Sequence, residues 1–375
     1  MEVAFTEDDL KSSEQLLRLI SDLPTPSSQI LAFIKEHQPQ GWLQEPQTGW
    51  TALHYAALRN DQQLADVLLK RTNAKWEIVD HTGCTAIDVA YSLNHAELYE
   101  ALINEGIRAQ LLRTILEQQE NEDDDDEMQD AAEENQQQEE QEQPQSSAAH
   151  LQTYLQTKLV FAGEGDQEVC LDAEGNGVMM GWETGIMDKT ASLLCANHPS
   201  ATSLRVLNIG HGLGIVDSLL QSYGQPARHV IVEAHPDVLK HMHEKGWYDR
   251  PGVEIFEGQW QDWLKQAMTN GDMFDIIYWD TFSEHYRDLY AFFDKLPDIL
   301  DSDGRFSFFH GLGATNRSFY DIYTSVSEMH LRDMGLKTQW HQVAVPDGGE
   351  VRWQGVVRRY WDLPDYRLPL STFDL

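Results

Sequence analysis

Basic residues are scarce in this chain. Its 375 residues hold 27 Lys and Arg against 62 Asp and Glu, a formal net charge of −35. So large a negative surplus repels phosphates, which argues against direct nucleic-acid or anionic-membrane partners. It suits a basic peptide or protein, and it also keeps a chain soluble. Cysteine is nearly missing: Cys84, Cys170 and Cys195 are odd in number and far apart. That spacing suggests neither a disulfide framework nor a zinc site, and no metal is expected. No apolar run is long enough to span a bilayer, and the first ten residues carry no basic cluster. A reducing intracellular compartment is the expectation, in the cytoplasm and nucleus.

What is present begins with a repeat. Gly49-Trp50-Thr51-Ala52-Leu53-His54-Tyr55-Ala56-Ala57 returns 34 residues later as Gly83-Cys84-Thr85-Ala86-Ile87-Asp88-Val89-Ala90. The first copy resembles the ankyrin signature, with Ala52 in place of proline. A second helix is expected after each copy, over 62–70 and 96–103. His54 is expected to tie neighbouring turns together. Two units are few for a free-standing solenoid, so a degenerate unit around 14–34, or packing on the rest of the chain, has to close the core. An ankyrin-repeat region over 1–116 follows.

Composition then shifts. Between Glu117 and Gln145 there is no Lys or Arg, and 14 residues are acidic. Such a segment buries too little apolar surface to offset ordering entropy, so 117–147 is expected to be a disordered linker; an acidic docking tail is the alternative. Over 148–375 the pattern is globular. A helix is expected over 151–161, a short hairpin around Asp172–Gly177, and a helix over 181–194. Strands at 204–209, 229–232, 253–256, 274–279 and 304–309 then alternate with helices, including 286–300 and 316–334. A closing hairpin of 337–345 with 351–360 flanks Pro346-Asp347-Gly348-Gly349. Alternating βα units predict a doubly wound, mostly parallel sheet.

The most informative stretch is Val206-Leu207-Asn208-Ile209-Gly210-His211-Gly212-Leu213-Gly214-Ile215. A buried strand ends there in a glycine turn, and the next strand ends in Glu233, placed to hold ribose hydroxyls. Dinucleotide folds prefer Gly-x-Gly-x-x-Gly. The Gly210, Gly212, Gly214 spacing, the acid and the late hairpin together resemble the S-adenosylmethionine-dependent methyltransferases of the Rossmann-like class. Such sheets often carry an acid where Asn208 stands, so either the amide accepts a hydrogen bond instead or cofactor affinity is reduced. Gln259 and Trp260 fall where that class holds the adenine; for Trp260, core packing is the alternative.

Strand 274–279 ends in Asp280-Thr281-Phe282-Ser283-Glu284, without the prolines typical of base-methylating enzymes. A second acid, Glu183, stands in Gly181-Trp182-Glu183-Thr184. With the glycine turn, these segments resemble guanidinoacetate methyltransferase. With the ankyrin units and Gly175-Asn176-Gly177-Val178-Met179-Met180 added, the chain is more similar to the fungal arginine N5-methyltransferases (type IV protein arginine methyltransferases). That resemblance implies methylation of the internal δ-nitrogen of an arginine in a protein, with a ribosomal protein as the expected substrate, S-adenosylmethionine as cofactor and the chain a monomer. It implies Asp280 and Glu183 as catalytic. It implies cofactor contacts from Tyr154 and Phe161 in a lidding helix, from Met187, Asn208, Gly210, His211, Gly212, Leu213, Gly214 and Ile215, and from Glu233, Ala234, His235, Gln259, Trp260 and Asp280.

The chemistry stands apart from the resemblance. A guanidinium is a flat cation with N–H donors in a rigid fork, and two carboxylates can clamp it. Charge localised on its terminal nitrogens frees electron density on the internal one. Asp280 or Glu183 can take the departing proton, Asp280 being favoured. A small-molecule guanidino methyltransferase and a non-catalytic ankyrin scaffold are the rival readings.

Overall fold

The computed structural model describes residues 6–128, 147–282, 284–345 and 352–374. The chain divides into two units: Met1–Ala132 with Asn316–Val326, and Glu133–Thr315 with Ser327–Leu375.

The first unit is helical: α1 (Glu7–Ser21), α2 (Ser27–His37), α3 (Ala52–Leu58), α4 (Gln62–Arg71), α5 (Ala86–Ser92) and α6 (Ala96–Met128). They pack as the pairs α1/α2, α3/α4 and α5/α6, with α3 against both α1 and α5. The degenerate first unit therefore exists. Thr51 and Thr85 start their helices with capping boxes, each satisfying N–H groups that a helix start leaves open. His54 Nδ1 accepts from Thr51 N at 3.1 Å, so Nε2 carries the proton and reaches Cys84 O, also at 3.1 Å. It ties two turns together, as expected.

Helix α6 runs far beyond 103 and enters the stretch expected to be linker. Its Leu, Glu, Gln and Ala are strong helix formers, and propagation from a packed start is cheap. Residues 129–146 lie outside the described residues.

In the second unit, α7 (Ser147–Gln156) precedes a small antiparallel sheet of β1 (Val160–Ala162), β2 (Val169–Leu171) and β3 (Gly177–Met180). The expected helix thus stops at 156. Val160 and Phe161 suit a strand, and Phe161 pairs with Cys170. A 3-10 turn, Gly181–Glu183, leads into α8 (Thr184–Cys195). Then come β4 (Arg205–Ile209), α9 (Ile215–Gly224), β5 (Arg228–Glu233), α10 (Pro236–Glu244), β6 (Val253–Glu257), α11 (Trp260–Asn270), β7 (Phe274–Trp279), α12 (Tyr286–Phe293), α13 (Leu296–Ile299), β8 (Leu300–Phe308), α14 (Arg317–Asp333), β9 (Leu336–Ala344) and β10 (Asp365–Phe373). Pro297, lacking an N–H, accounts for two short helices where one was expected.

The seven-stranded sheet has the order β6-β5-β4-β7-β8-β10-β9, with β10 antiparallel to both neighbours. Leu207, Ile209, Val230, Val232, Ile277 and Trp279 face α11 and α12. Val206, Ile231, Ile276 and Tyr278 face α8, α9 and α10. Strands covered on both faces read as unbroken apolar runs, which is why these were visible in the sequence. The closing hairpin uses 365–373 as its second strand, not 351–360; its expected turn, 346–349, lies outside the described residues. The first part of α14 belongs to the helical unit, where the Asp88 carboxylate accepts from Asn316 Nδ2 at 2.7 Å and Ser318 Oγ at 2.5 Å.

Candidate active site

The strand order reverses between β4 and β7, and open α/β sheets bind ligands in the crevice at that point. Asp280 N donates to Ile209 O at 2.8 Å, and Gly210 N donates to Val232 O at 2.9 Å. The tips of β5, β4 and β7 are thereby zipped. A Cβ on Gly210 (φ +90°) would lie 2.0 Å from Asp280 O, so only glycine allows this approach. A Cβ on Gly212 (φ +55°) would meet Met179 Sδ at 2.5 Å, which seats β3 against the turn.

Above these tips lies a cavity of about 270 Å³. Of the sequence-predicted residues, Tyr154, Glu183, Gly210, His211, Gly212, Glu233, Ala234, Gln259, Trp260 and Asp280 line it. The Glu233 carboxylate accepts three backbone N–H bonds, from His211 at 2.9 Å, Ala234 at 2.8 Å and His235 at 2.7 Å. Trp260 both lines the cavity and packs in the core, edge-on to Trp279 and Phe292, with Nε1 donating to Glu284 at 2.9 Å.

The remaining expected contacts are not in the wall. Phe161 sits in β1, its ring stacked on His241 with centroids 4.2 Å apart. Met187 is fully buried, and its sulfur accepts from Tyr278 Oη at 3.2 Å. Glu183 and Met187 do not share one helix, as the helix expected over 181–194 implied, because Glu183 lies in the 3-10 turn before α8 begins. Leu213, Gly214 and Ile215 form the buried turn and the start of α9. His235 caps α10 through Nδ1, and its Nε2 lies 3.2 Å from Tyr154 O.

Asn208 does not act as an acceptor in place of an acid. Its Nδ2 donates to Gly210 O at 2.7 Å and to Asp217 Oδ2 at 2.8 Å. The acid comes instead from α9: buried Asp217 also holds His211 Nδ1 at 2.6 Å and His229 Nε2 at 2.9 Å. Burial opposes its charge, but the two histidines outweigh burial and keep its carboxyl well below the usual range. His310 packs between Phe308 and Trp340 and is not in the wall.

Glu183 and Asp280 have the opposite electrostatics. Burial pushes Glu183 up to about 7, against hydrogen bonds from Tyr360 and Met180. Burial, then the charges of Glu183 and Asp217, raise Asp280 well above the usual range. Among the wall residues that were missed are Glu284 and Tyr360. Glu284 is also pushed up to about 7 by burial, and its place four residues after Asp280 was the available signal. Tyr360, whose hydroxyl donates to Glu183 Oε1, gave no signal within a segment expected to be a strand. The sheet, glycine turn and acid-lined cavity together define a methyltransferase of the Rossmann-like class.

Known proteins are similar along most of the chain. Residues 26–112 match the ankyrin-repeat family in three copies, and residues 156–300 match the guanidinoacetate N-methyltransferase family. Protein arginine N-methyltransferase 2 of Cryptococcus neoformans var. neoformans serotype D (strain B-3501A) is 39% identical over 379 residues, 96% of this chain and 95% of that one. The protein of that name from Saccharomyces cerevisiae (strain ATCC 204508 / S288c) is 33% identical over 82% of this chain and 76% of its own. A solved spermidine synthase from Thermotoga maritima is similar at TM-score 0.42 and 15% identity, over 57% of this chain and 69% of its own. The chain belongs to the protein arginine N-methyltransferase 2 family.

Proposed function

We propose that this protein transfers a methyl group from S-adenosylmethionine to the δ-nitrogen of an arginine in a protein, with a ribosomal protein as the expected substrate. The observation that carries this reading is the pair Glu183 and Asp280, two under-solvated acids in the wall that also holds Glu233 and the glycine turn.

The wall fits the methyl donor. Glu233 Oε2 holds only the His211 N–H and keeps acceptor capacity for a ribose hydroxyl, Oε1 being taken by Ala234 N and His235 N. Gly210 and Gly212 leave the turn without side chains, and Gln259 and Trp260 stand beside it. Tyr154, His211 and Ala234 complete the residues that would hold the donor. When bound, its sulfonium supplies an electrophilic methyl group, so no metal is required.

The chain's own residues do the rest. Glu183 and Asp280 grip the terminal nitrogens and localise positive charge there. That leaves the δ-nitrogen lone pair less delocalised. A guanidinium between them also stabilises both charges, which burial otherwise opposes. Fixing the nitrogen in line supplies proximity. As the new N–C bond forms, the δ N–H proton passes to Asp280.

The test is incubation with labelled S-adenosylmethionine and cell extract, followed by fragment-ion mass spectrometry. Label on the internal nitrogen of a protein arginine is expected; label only on terminal nitrogens would overturn the regiochemistry. The guanidinoacetate N-methyltransferase match favours one second reading, a small guanidino acid as acceptor, and turnover of guanidinoacetate in the same assay would support it. In our reading the enzyme acts as a monomer in cytoplasm and nucleus, checked by sedimentation and fractionation.

A further inference from the structure

Glu183 is not free to use its whole carboxylate. Oε1 already accepts from Met180 N at 3.0 Å and from the Tyr360 hydroxyl. Among the described residues Oε2 carries no protein hydrogen bond. Tyr360 itself lines the cavity and is held firmly. Its ring meets Trp353 edge-on with centroids 4.9 Å apart, and lies roughly parallel to Trp182 at 6.2 Å. Gly177 makes room for it: a Cβ there would come within 3.1 Å of Tyr360 Cε1. Backbone bonds from Val357 N to Gly175 O at 2.9 Å and from Gly177 N to Arg358 O at 3.3 Å fix the segment beside β3.

An unencumbered carboxylate takes a guanidinium through two parallel N–H bonds, side-on or end-on. Side-on pairing by Glu183 would claim the δ N–H, whose proton has to pass to Asp280. We infer that Tyr360 is a positioning residue that occupies one oxygen of Glu183, limits it to a single terminal N–H of the substrate, and thereby directs methylation to the internal nitrogen. This rests on the arginine-methylating reading above. Asp280 is then left with the δ N–H and the remaining terminal donors. Without the tyrosine hydroxyl, Glu183 can pair through both oxygens and rotate the cation, so a terminal nitrogen competes for the methyl group.

The experiment uses the full chain and Tyr360→Phe, with an arginine peptide or protein methylated by the wild type. Fragment-ion mass spectrometry reads the ratio of internal to terminal methylarginine. A fall of roughly tenfold or more in Tyr360→Phe is expected, since one charge-assisted hydrogen bond is worth that much. An unchanged ratio at wild-type kcat would overturn the inference. A wild type that marks only terminal nitrogens refutes the regiochemistry proposed above and the inference with it, whereas a wild-type internal mark with an unchanged ratio in the variant refutes the inference alone. If the variant is inactive, calorimetry of the same peptide without the methyl donor decides. Loss of a donor to the Glu183 carboxylate should move the onset of cation binding to higher pH. An onset unmoved by the substitution would count against the role, and a moved one supports it.

Discussion

Two ends of one cavity use the same side-chain chemistry in opposite ways. At the glycine-turn end, Glu233 receives three backbone N–H bonds and stands as a finished hook. At the other end, Glu183 and Asp280 are pushed up by burial, and Asp280 further by Glu183 itself. A carboxylate supplied with donors by its own fold binds neutral hydroxyls without further change. A pair left short of donors is stabilised only when a cation arrives, so the deficit itself selects the ligand. The positions of the elements explain the split. Glu233 sits where β5 turns toward α10, among free N–H groups, whereas Asp280 ends β7 against the backbone of β4.

Substitutions at the two ends should separate these roles, the largest effect coming first. Asp280→Asn keeps size but removes the charge. Transfer should fall by on the order of 100-fold or more, the cost of losing a preorganised electrostatic partner. Methyl-donor affinity should stay within a few-fold by calorimetry; wild-type turnover would remove Asp280 from the clamp. Glu233→Gln should do the reverse, weakening donor affinity by roughly 10- to 100-fold, the worth of a charged hydrogen bond. An equal loss in peptide affinity would erase the distinction between the two ends.

The distinction also has a stability side. Glu183 has a folded-state value raised from 4.5 to about 7. Its cost to the fold is therefore absent below about pH 4.5, grows as pH rises toward 7, and stays constant above. Glu183→Gln should stabilise the fold at pH 8 by on the order of 1–3 kcal/mol, read as a raised Tm, while abolishing transfer. No gain at pH 8 would mean that the carboxylate is better solvated than its burial implies. The smallest effect belongs to the helical unit. Asp88→Ala removes its half of a capping box and the partner of Asn316 and Ser318, costing about 1–2 kcal/mol with kcat near wild type. Deleting the repeats outright would strip the same partners from the start of α14, so a point substitution is the cleaner probe.

Much of this was legible in the sequence, and particular residues show why. Strands β4, β5 and β7 are apolar on both faces, so their ends fell within a residue or so of expectation. Asp280 and Glu233 could be placed because a strand tip projects its last side chain into the crevice. The closing hairpin was harder. Val351–Tyr360 has the β-branched and aromatic residues of a strand, yet 352–360 forms no strand. The true strand, β10, contains Pro369, which normally excludes an inner strand. It is tolerated because pairing to β8 is sparse there, registered at Ser371 with Phe306, while Ser307 Oγ donates to Pro369 O at 2.6 Å. That misplacement hid Tyr360. Phe161 and Met187 were misplaced by continuing helical periodicity across a break, after Gln156 in one case and before Thr184 in the other. Asp217 was missed because its role depends on α9 folding back under β4, which no local pattern encodes.

Proton release on substrate binding tests the central claim most directly. An arginine peptide titrated into the protein near pH 7, in buffers of differing ionisation enthalpy, should give heats that vary with the buffer as Glu183 and Asp280 shed protons to the incoming cation. Heats independent of buffer, and unaltered in Glu183→Gln and Asp280→Asn, would contradict the account.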